Sequence, residues 1–295
     1  MPETNIPSRK AAWLPRLALA AVMPALIAGH GAAAQEAELA PTPIEAMAYD
    51  AGSKALLVGG QNGLFRSTDE GQTWQTVPLP PGAGEIAATA VPARSDNAIY
   101  VAGPDMGVLR TDDRGESWSN LNSGLPNPHV TALAAHSTQP DTVYAYVPET
   151  GIYRSQDAGK SWKMMDRGPE GTSHLIHTNM EGSMESGWLY AATPDGTRVS
   201  MDCFCLWRDA GNLSGPITGL AFDPQHPKHL YAASDAGLFK STDGGQEWIK
   251  VSSPPIAAAV TSLMMAPTGV LYAGADEGEI FKSSDGAATW ERAGE

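Results

Sequence analysis

The sequence predicts an all-β protein, a six-bladed β-propeller of four-stranded antiparallel blades. Three observations predict this fold. The first is a motif of eight residues that occurs six times, and the second is the nearly equal spacing of its copies along the chain. The third observation is the composition: the chain of 295 residues has 31 Gly and 23 Pro, and only 18% of its residues are charged. Such a composition favours many turns and short strands over long amphipathic helices.

The repeated motif ends in tryptophan. Five clear copies and one degenerate copy are STDEGQTW (67–74), TDDRGESW (111–118), SQDAGKSW (155–162), SMDCFCLW (200–207, the degenerate one), STDGGQEW (241–248) and SSDGAATW (283–290). Successive closing tryptophans are 44, 44, 45, 41 and 42 residues apart. Six such units account for residues 35–295, so this range is predicted to be one domain.

Each unit has the pattern of four short strands. In the first unit the predicted strands are 44–50, 55–60, 63–68 and 73–77, and in the fifth they are 217–223, 229–234, 237–242 and 247–251. Apolar residues alternate with small or polar ones, and Gly, Asp, Asn or Pro separate the strands, as in antiparallel hairpins. One such sheet cannot bury both faces, whereas six arranged radially can, which is a propeller.

The motif residues are predicted to be structural. The Ser or Thr and the Asp would hydrogen-bond the turn before the fourth strand, the Gly would adopt positive φ, and the Trp would pack on the neighbouring blade. A turn is needed in every blade, whereas a catalytic group is not. The residues are Ser67, Asp69, Gly71, Trp74, Thr111, Asp113, Gly115, Trp118, Ser155, Asp157, Gly159, Trp162, Ser200, Asp202, Trp207, Ser241, Asp243, Gly245, Trp248, Ser283, Asp285 and Trp290.

This pattern, Ser/Thr-x-Asp-x-Gly-x-x-Trp, resembles the Asp-box (BNR-like) repeat family over nearly the whole of 35–295. The family includes sialidases, xyloglucan-degrading enzymes, sortilin-type receptors and the photosystem II stability/assembly factors. A single propeller behind an export signal is most similar to the last group. That resemblance implies a non-catalytic protein that assists the assembly of a complex. Those factors are usually described with seven blades, so seven remains an alternative to the six counted here.

A sialidase resemblance would instead imply an arginine triad, a Tyr nucleophile activated by Glu, and an Asp acid. Arg66, Arg110 and Arg154 stand one residue before the motif, and Lys240 and Lys282 take that place in two other blades. A cation repeated in this way is expected to cover strand surface with its aliphatic stem. No Arg-Ile-Pro segment precedes the first copy. We therefore predict no catalytic residue, and a glycoside hydrolase is the less favoured alternative.

The N-terminal segment has the layout of a secretory signal. Three basic residues within the first 16 precede an apolar run at 17–29, which small residues at Ala32 and Ala34 follow. This layout predicts a signal peptide at 1–34 and export to a bacterial periplasm. The alternative is an uncleaved anchor, but the run is shorter than the about 20 residues that span a bilayer, and Pro24 interrupts it.

The acidic composition limits the partners. Asp and Glu number 33 against 19 Lys and Arg, a formal charge of −14. Nucleic-acid binding needs clustered cations and is not expected. A rigid disc with loop-rich rims suits protein docking, so a protein partner, in a membrane-associated complex, is predicted. No transmembrane span is expected after signal removal, and no cofactor is assigned except copper as an alternative.

The fourth unit departs from the others. Phe204 replaces the motif glycine, and Cys203 and Cys205, which flank it, are the two cysteines of the chain. Thiolates and thioethers near imidazole suit Cu(I). A copper-binding function would use the residues Cys203, Cys205, Met201, His177, Met180 and Met184. The alternative is a small disulfide between the two cysteines, and both readings stay open. His129, His136, His226 and His229 are given no role.

Overall fold

Four sequence-consecutive strands form each of six antiparallel sheets, and the sheets follow one another along the chain. The structure is a computed structural model that describes residues 43–183, 187–201, 206–255 and 259–294. The all-β class and the six blades predicted from the sequence are confirmed.

The strands of the six blades are, in chain order, β1 (Ala46–Asp50), β2 (Ala55–Gly60), β3 (Gly63–Ser67), β4 (Gln75–Val77), β5 (Ala88–Ala90), β6 (Ile99–Gly103), β7 (Gly107–Thr111), β8 (Ser119–Asn120), β9 (Ala132–Ala135), β10 (Val143–Val147), β11 (Gly151–Ser155), β12 (Lys163–Asp166), β13 (His174–Thr178), β14 (Trp188–Thr193), β15 (Gly196–Ser200), β16 (Arg208–Ser214), β17 (Ile217–Asp223), β18 (His226–Ser234), β19 (Gly237–Ser241), β20 (Ile249–Lys250), β21 (Val260–Met265), β22 (Leu271–Ala275), β23 (Ile280–Ser283) and β24 (Glu291–Arg292).

The first strand of each blade lies next to the first strands of the two neighbouring blades, around a central channel. Because each blade is a meander, its first and third strands run in the same direction. The turns that carry the motif therefore lie on the face where the first strands end, which we call the box face. The connections from one blade to the next lie on the opposite face, which we call the connector face.

Middle strands are buried on both sides because neighbouring blades cover them. All five residues of β6 are buried, as are all five of β10. Clusters of apolar side chains from two adjacent blades fill the spaces between the blades. Full burial of a Val, Leu or Ile side chain contributes about 1.5–3 kcal/mol to the stability of the fold. The apolar clusters between blades, and not any one sheet, therefore hold the fold together.

The fourth strands differ slightly from the prediction. The strand predicted at 73–77 is Gln75–Val77, and that predicted at 247–251 is Ile249–Lys250. In both cases the strand begins one residue after the motif tryptophan, because the motif aspartate holds the preceding backbone N–H groups in the turn. These short outer strands have mostly exposed side chains.

The ring closes between blades six and one by face packing. The N–H of Ile44 donates to the carbonyl of Ala275 at 3.2 Å, and one apolar cluster combines Ile44 and Phe65 with Met264 and Tyr272. The four strands of blade one and the four of blade six each come from one continuous segment. The sequence also allows residues 36–41 to add a strand that closes the ring, and these residues lie outside the described part of the chain.

Within those same described ranges, no helix has the length and apolar content required to cross a membrane.

Candidate functional site

The box turn is a closed hydrogen-bond unit. In blade one the Ser67 hydroxyl donates to Asp69 Oδ1 at 2.7 Å and accepts the Gly71 N–H at 2.7 Å. Asp69 Oδ1 also accepts the Thr73 N–H at 2.9 Å, and Oδ2 accepts the Thr73 hydroxyl at 2.6 Å. Blades two, three, five and six repeat the Ser/Thr–Asp bond and the bond from the N–H four residues after the Ser/Thr. Asp202 of blade four lies outside the described residues.

Donors within the same turn hydrogen-bond the carboxylate of each described motif aspartate. Hydrogen bonds, first from Ser117 and then from Thr111, lower the pKa of Asp113 to about 2. Ser161 and Ser155 do the same for Asp157, whose pKa is also about 2. An acid held ionised by its own turn has no proton to give near neutral pH, so this arrangement suits a structural role and not acid catalysis.

Two successive residues of the turn have positive φ. Glu70 and Gly71 have φ of 58° and 93°, and blades two and three repeat the pair. Blade six has Ala287 at the glycine position with φ 71°. Glycine takes this conformation without the steric cost that a β-carbon brings.

The motif tryptophans tie each blade to the preceding one. Four indole N–H groups donate to backbone carbonyls near the end of the previous blade, at 2.6–2.9 Å: Trp118 to Pro78, Trp162 to Leu121, Trp248 to Ala210 and Trp290 to Ser252. Trp74 packs with the cluster between blades six and one, and Trp207 packs with the cluster between blades three and four. The sequence predicted the packing but gave no sign of the hydrogen bonds.

Two of the repeated cations lie over tyrosine rings of the second strands. Arg110 lies over the ring of Tyr100 at 5.1 Å, and Lys240 lies over Tyr231 at 5.4 Å. Arg110 also donates to the carbonyl of Ala158 in the next blade at 3.3 Å. Arg110 and Lys240 therefore contact neighbouring groups within and between blades.

The predicted soft-metal residues that the structure describes lie on two sides of blade four. The His177 ring stacks on His136 with centroids 3.9 Å apart and on Tyr144 at 5.5 Å. Its Nδ1 accepts the Ser137 N–H at 3.2 Å. His177 is buried and thus belongs to the interface with blade three.

Met180 and Met201 lie on the other side, with the cluster that also contains Tyr190 and Trp248 between blades four and five. Successive strand side chains point to opposite faces, and Ile176 accordingly packs on the blade-five side. Cys203, Cys205 and Met184 lie outside the described residues. The copper site therefore stays a prediction.

A cavity of about 240 Å³ occupies the central channel. The first strands of all six blades line it, mostly with small apolar side chains such as Ala48, Ala90, Ala134 and Ala221. A few polar groups, among them Glu45, Ser173 and His174, interrupt this lining. The cavity is smaller than the roughly 300–1,000 Å³ of ordinary small-molecule pockets.

Two ionisable groups at the connector-face end of the channel have shifted pKa values. Burial raises the pKa of Glu45 to about 7, and the hydrogen bond and negative charge of Glu85 add to the shift. Burial also lowers the pKa of His174 to about 4, and its Nε2 is buried with no hydrogen-bond partner among the described residues. Neither group belongs to a motif, and the sequence analysis assigned neither of them a role in the channel. The sequence feature that could have revealed Glu45 is its place in the repeat, where other blades have a hydroxyl side chain: Thr131, Ser173, Thr218 and Thr261.

Comparison with protein families gave a match over residues 62–197, less than half of the chain, to the sortilin (neurotensin receptor 3) Vps10 family. A sequence comparison with curated proteins gave no significant match.

Solved structures with the same fold include YCF48 propellers and GH74 enzymes. YCF48 from Cyanidioschyzon merolae is 16% identical, with a TM-score of 0.56, and the match covers 86% of this chain and 87% of that one. YCF48 bound to D1 peptide is 20% identical, with a TM-score of 0.55 and coverage of 86% and 84%. The GH74 xyloglucanase from Xanthomonas campestris is 19% identical, with a TM-score of 0.55 and coverage of 83% of this chain and 45% of the enzyme.

The chain spans less than half of the length of the GH74 enzymes that it matches, with coverage of 32%, 37% and 45%. At these identities the likeness concerns the fold. The five described box turns, the indole contacts between blades and the six four-stranded sheets together give the chain the fold and the turn geometry of an Asp-box repeat β-propeller.

Proposed function

We propose that this protein is an exported, non-catalytic β-propeller that binds a protein partner through the outer rim of blades three to five. The observation that carries the proposal is a set of apolar side chains on this rim. Met164, Leu206 and Ile249 are 50%, 48% and 63% exposed, and they belong to three consecutive blades. Exposed apolar side chains at a rim are typical of protein contacts.

The apolar residues are exceptions within the repeat. Ile249 directly follows a motif tryptophan and pairs with the third-strand cation Lys240. The other five blades have a polar residue in that position: Gln75, Ser119, Lys163, Arg208 and Glu291. Met164 lies one residue further along, where the other blades have Thr76, Asn120, Asp209, Lys250 and Arg292. Because the turn itself does not require an apolar residue there, a binding role explains both exceptions.

Two further points support a binding protein. The match to YCF48 extends over most of both chains, so the protein has the dimensions of that single propeller, and one YCF48 structure contains a bound D1 peptide. In addition, the central cavity of about 240 Å³ is too small for a polysaccharide segment. The rim and loops are then the surfaces available to a large partner.

The experiment is affinity capture from solubilised membranes of the source organism, followed by mass spectrometry. The test variant combines Met164→Glu and Ile249→Glu. The control combines Gln75→Glu and Ser119→Glu, which adds the same charge at exposed fourth-strand positions of blades one and two. We expect one partner to bind the parent and the control and to be lost with the test variant. Equal capture of that partner by both variants would show that this rim is not the contact.

Export is part of the proposal and has its own test. The basic, apolar and Ala32-x-Ala34 segments support cleavage after about Ala34. Intact mass of the protein isolated from the cell envelope is expected to correspond to a chain that starts at about Gln35. A mass that includes residues 1–34 would support a membrane anchor instead.

The competing function is a glycoside hydrolase, and the observation that favours it is the pair Glu45 and Glu85. A carboxyl group with a pKa of about 7 is a suitable general acid. However, the two carboxyls share a hydrogen bond, whereas glycosidases separate their two carboxyls by about 5–9.5 Å so that the scissile bond, and in inverting enzymes a water, fits between them. Hydrolysis of xyloglucan or chromogenic glycosides that Glu45→Gln abolishes would favour the enzyme over the scaffold.

A further inference from the structure

A hairpin of blade five brings together one carboxylate and two imidazoles. Asp223 ends β17, and His226 begins β18. Asp223 Oδ2 lies 2.8 Å from His226 Nδ1 and 4.0 Å from His229 Nδ1. One atom of each of the three side chains lies within 4.8 Å of the others.

An irregularity in the strand pairing creates this cluster. Phe222 pairs with Leu230, whereas Asp223 pairs with His226, so β18 has three more residues than β17 at this point. In a regular strand His226 and His229 would point to opposite faces, since they are three residues apart. Here the bulge returns His229 to the side of His226, and the two rings stack with centroids 4.9 Å apart.

We infer that Asp223, His226 and His229 form a binding site for a divalent transition-metal ion, with Zn²⁺ as the best match. Two imidazole nitrogens and a carboxylate oxygen are ligands that Zn²⁺ prefers. Tetrahedral zinc with bonds of about 2.0–2.1 Å places its ligand atoms about 3.4 Å apart. The separations of Asp223 Oδ2 from His226 Nδ1 and from His229 Nδ1, 2.8 and 4.0 Å, lie on either side of that value, so small side-chain rotations suffice.

The surroundings hold the ligands in place. Asp223 Oδ1 accepts the Gln225 N–H at 2.8 Å, which orients the carboxylate and leaves Oδ2 toward the histidines. The Gln225 side chain is itself fixed by donation to the Pro267 carbonyl of blade six at 2.8 Å. Pro224 and Pro227 flank the turn and limit its conformations.

The exposure of the side chains also suits the site. The His226 side chain is 61% exposed and that of Asp223 is 13% exposed. An ion bound here would have protein ligands on one side and solvent on the other, which leaves its fourth position to water or to a group from a partner.

No other described blade repeats the combination. The loop of blade three has His136, Gln139 and Thr142 at the positions of Asp223, His226 and His229. A fold-wide turn requirement therefore does not explain the two histidines of blade five. The site is also separate from the predicted copper site, because it uses none of the blade-four residues.

The test uses protein without a histidine tag and with both cysteines replaced by Ser, so that thiols cannot bind the probe. Zn²⁺ binding is measured by titration calorimetry, and Co²⁺ binding by its visible absorption. We expect about one equivalent of either ion and a rise in melting temperature with added Zn²⁺. A protein that binds neither ion at micromolar concentration overturns the inference.

Variants then assign the ligands. His226→Gln and His229→Gln should each weaken Zn²⁺ binding at least tenfold, whereas His129→Gln, in an exposed loop, should leave it unchanged. Circular dichroism and melting curves without metal check that each variant is folded. Because His226 is exposed, its substitution is expected to leave the fold intact, so a loss of Zn²⁺ binding in that variant reports on the site. If the variant that combines His226→Gln with His229→Gln binds Zn²⁺ as tightly as the parent, this site is excluded.

Discussion

The Thr261 hydroxyl donates to the carbonyl oxygen of Ile44 at 2.6 Å and so joins residues 217 positions apart, across the closure of the ring. The bond belongs to a series. At the same position of their blades, the hydroxyls of Thr131, Ser173 and Thr218 donate to the backbone carbonyl that begins the next blade. The closure between blades six and one therefore uses the same bond as the junctions between sequence neighbours.

Thr261→Val tests the role of this bond. Valine keeps the side-chain shape, so the main loss is one hydrogen bond, which costs about 0.5–1.5 kcal/mol in free energy of unfolding. Thr218→Val is the matched control, because its hydroxyl donates to Val260 at the same 2.6 Å between blades that the chain already connects. Urea unfolding should show a comparable loss for both. An unchanged midpoint for Thr261→Val would mean that apolar packing alone closes the ring.

The box glycines should differ in their tolerance of alanine. At Gly71, where φ is 93°, an added β-carbon would lie 3.2 Å from Ala293 Cβ. At Gly115, where φ is 99°, it would overlap Val77 Cγ1 of the preceding blade. Both variants therefore carry the cost of positive φ, about 1–2 kcal/mol, and Gly115→Ala adds a clash worth about 1–3 kcal/mol.

Thermal or urea unfolding of the two variants measures this difference. We expect Gly115→Ala to be the less stable, and by more than the error of the method. Equal losses would indicate that the blades move apart easily enough to accept the extra carbon.

Features within one repeat could be predicted from the sequence, and contacts between repeats could not. The strands of blade one follow from alternation and turn residues within a segment of about 35 residues. The meeting of Glu45 with Glu85, and of His136 with His177, depends on how neighbouring blades pack. Asp223, His226 and His229 are close in sequence but were missed because the bulge in β18 has no simple sequence signal.

Two groups of the central channel should affect stability in opposite directions as pH changes. Folding raises the pKa of Glu45 from 4.5 to about 7, so the folded state holds more protons in this interval and stability falls as pH rises through it. Folding lowers the pKa of His174 from 6.5 to about 4, so between these values the unfolded state holds more protons and stability rises with pH. The two contributions oppose each other between about pH 4.5 and 6.5.

Single variants should separate these contributions. Glu45→Gln removes the contribution to stability that falls as pH rises, so the melting temperature should rise more steeply with pH than in the parent. His174→Gln removes the contribution to stability that rises with pH, so the melting temperature of this variant should fall with pH up to about 7. The measurement is a melting temperature at half-unit steps from pH 4 to 8. Parallel curves for parent and both variants would show that neither group changes its pKa on folding.

The soft-metal prediction for blade four can now be made more specific. Reduced protein should bind about one equivalent of Cu(I), and replacement of both Cys203 and Cys205 by Ser should abolish this, since a thiolate is the strongest ligand available. Met201→Leu should weaken binding. His177→Asn should leave it unchanged, because His177 lies against blade three while Met201 packs toward blade five. Asparagine can still accept the Ser137 N–H that His177 Nδ1 accepts, which limits damage to the interface.

Thiol titration and a Cu(I) competition assay with a chromogenic chelator decide between the two readings of the cysteines. Free thiols, together with copper binding that the double Cys variant loses, support the metal site. Absence of free thiols in protein from the envelope, with a melting temperature that Cu(I) does not change, supports the small disulfide. A loss of copper binding in His177→Asn, with the melting temperature retained, would mean that blade four rearranges to bring His177 to the thiolates, because in the described structure its buried ring stacks on His136 and Tyr144 of blade three.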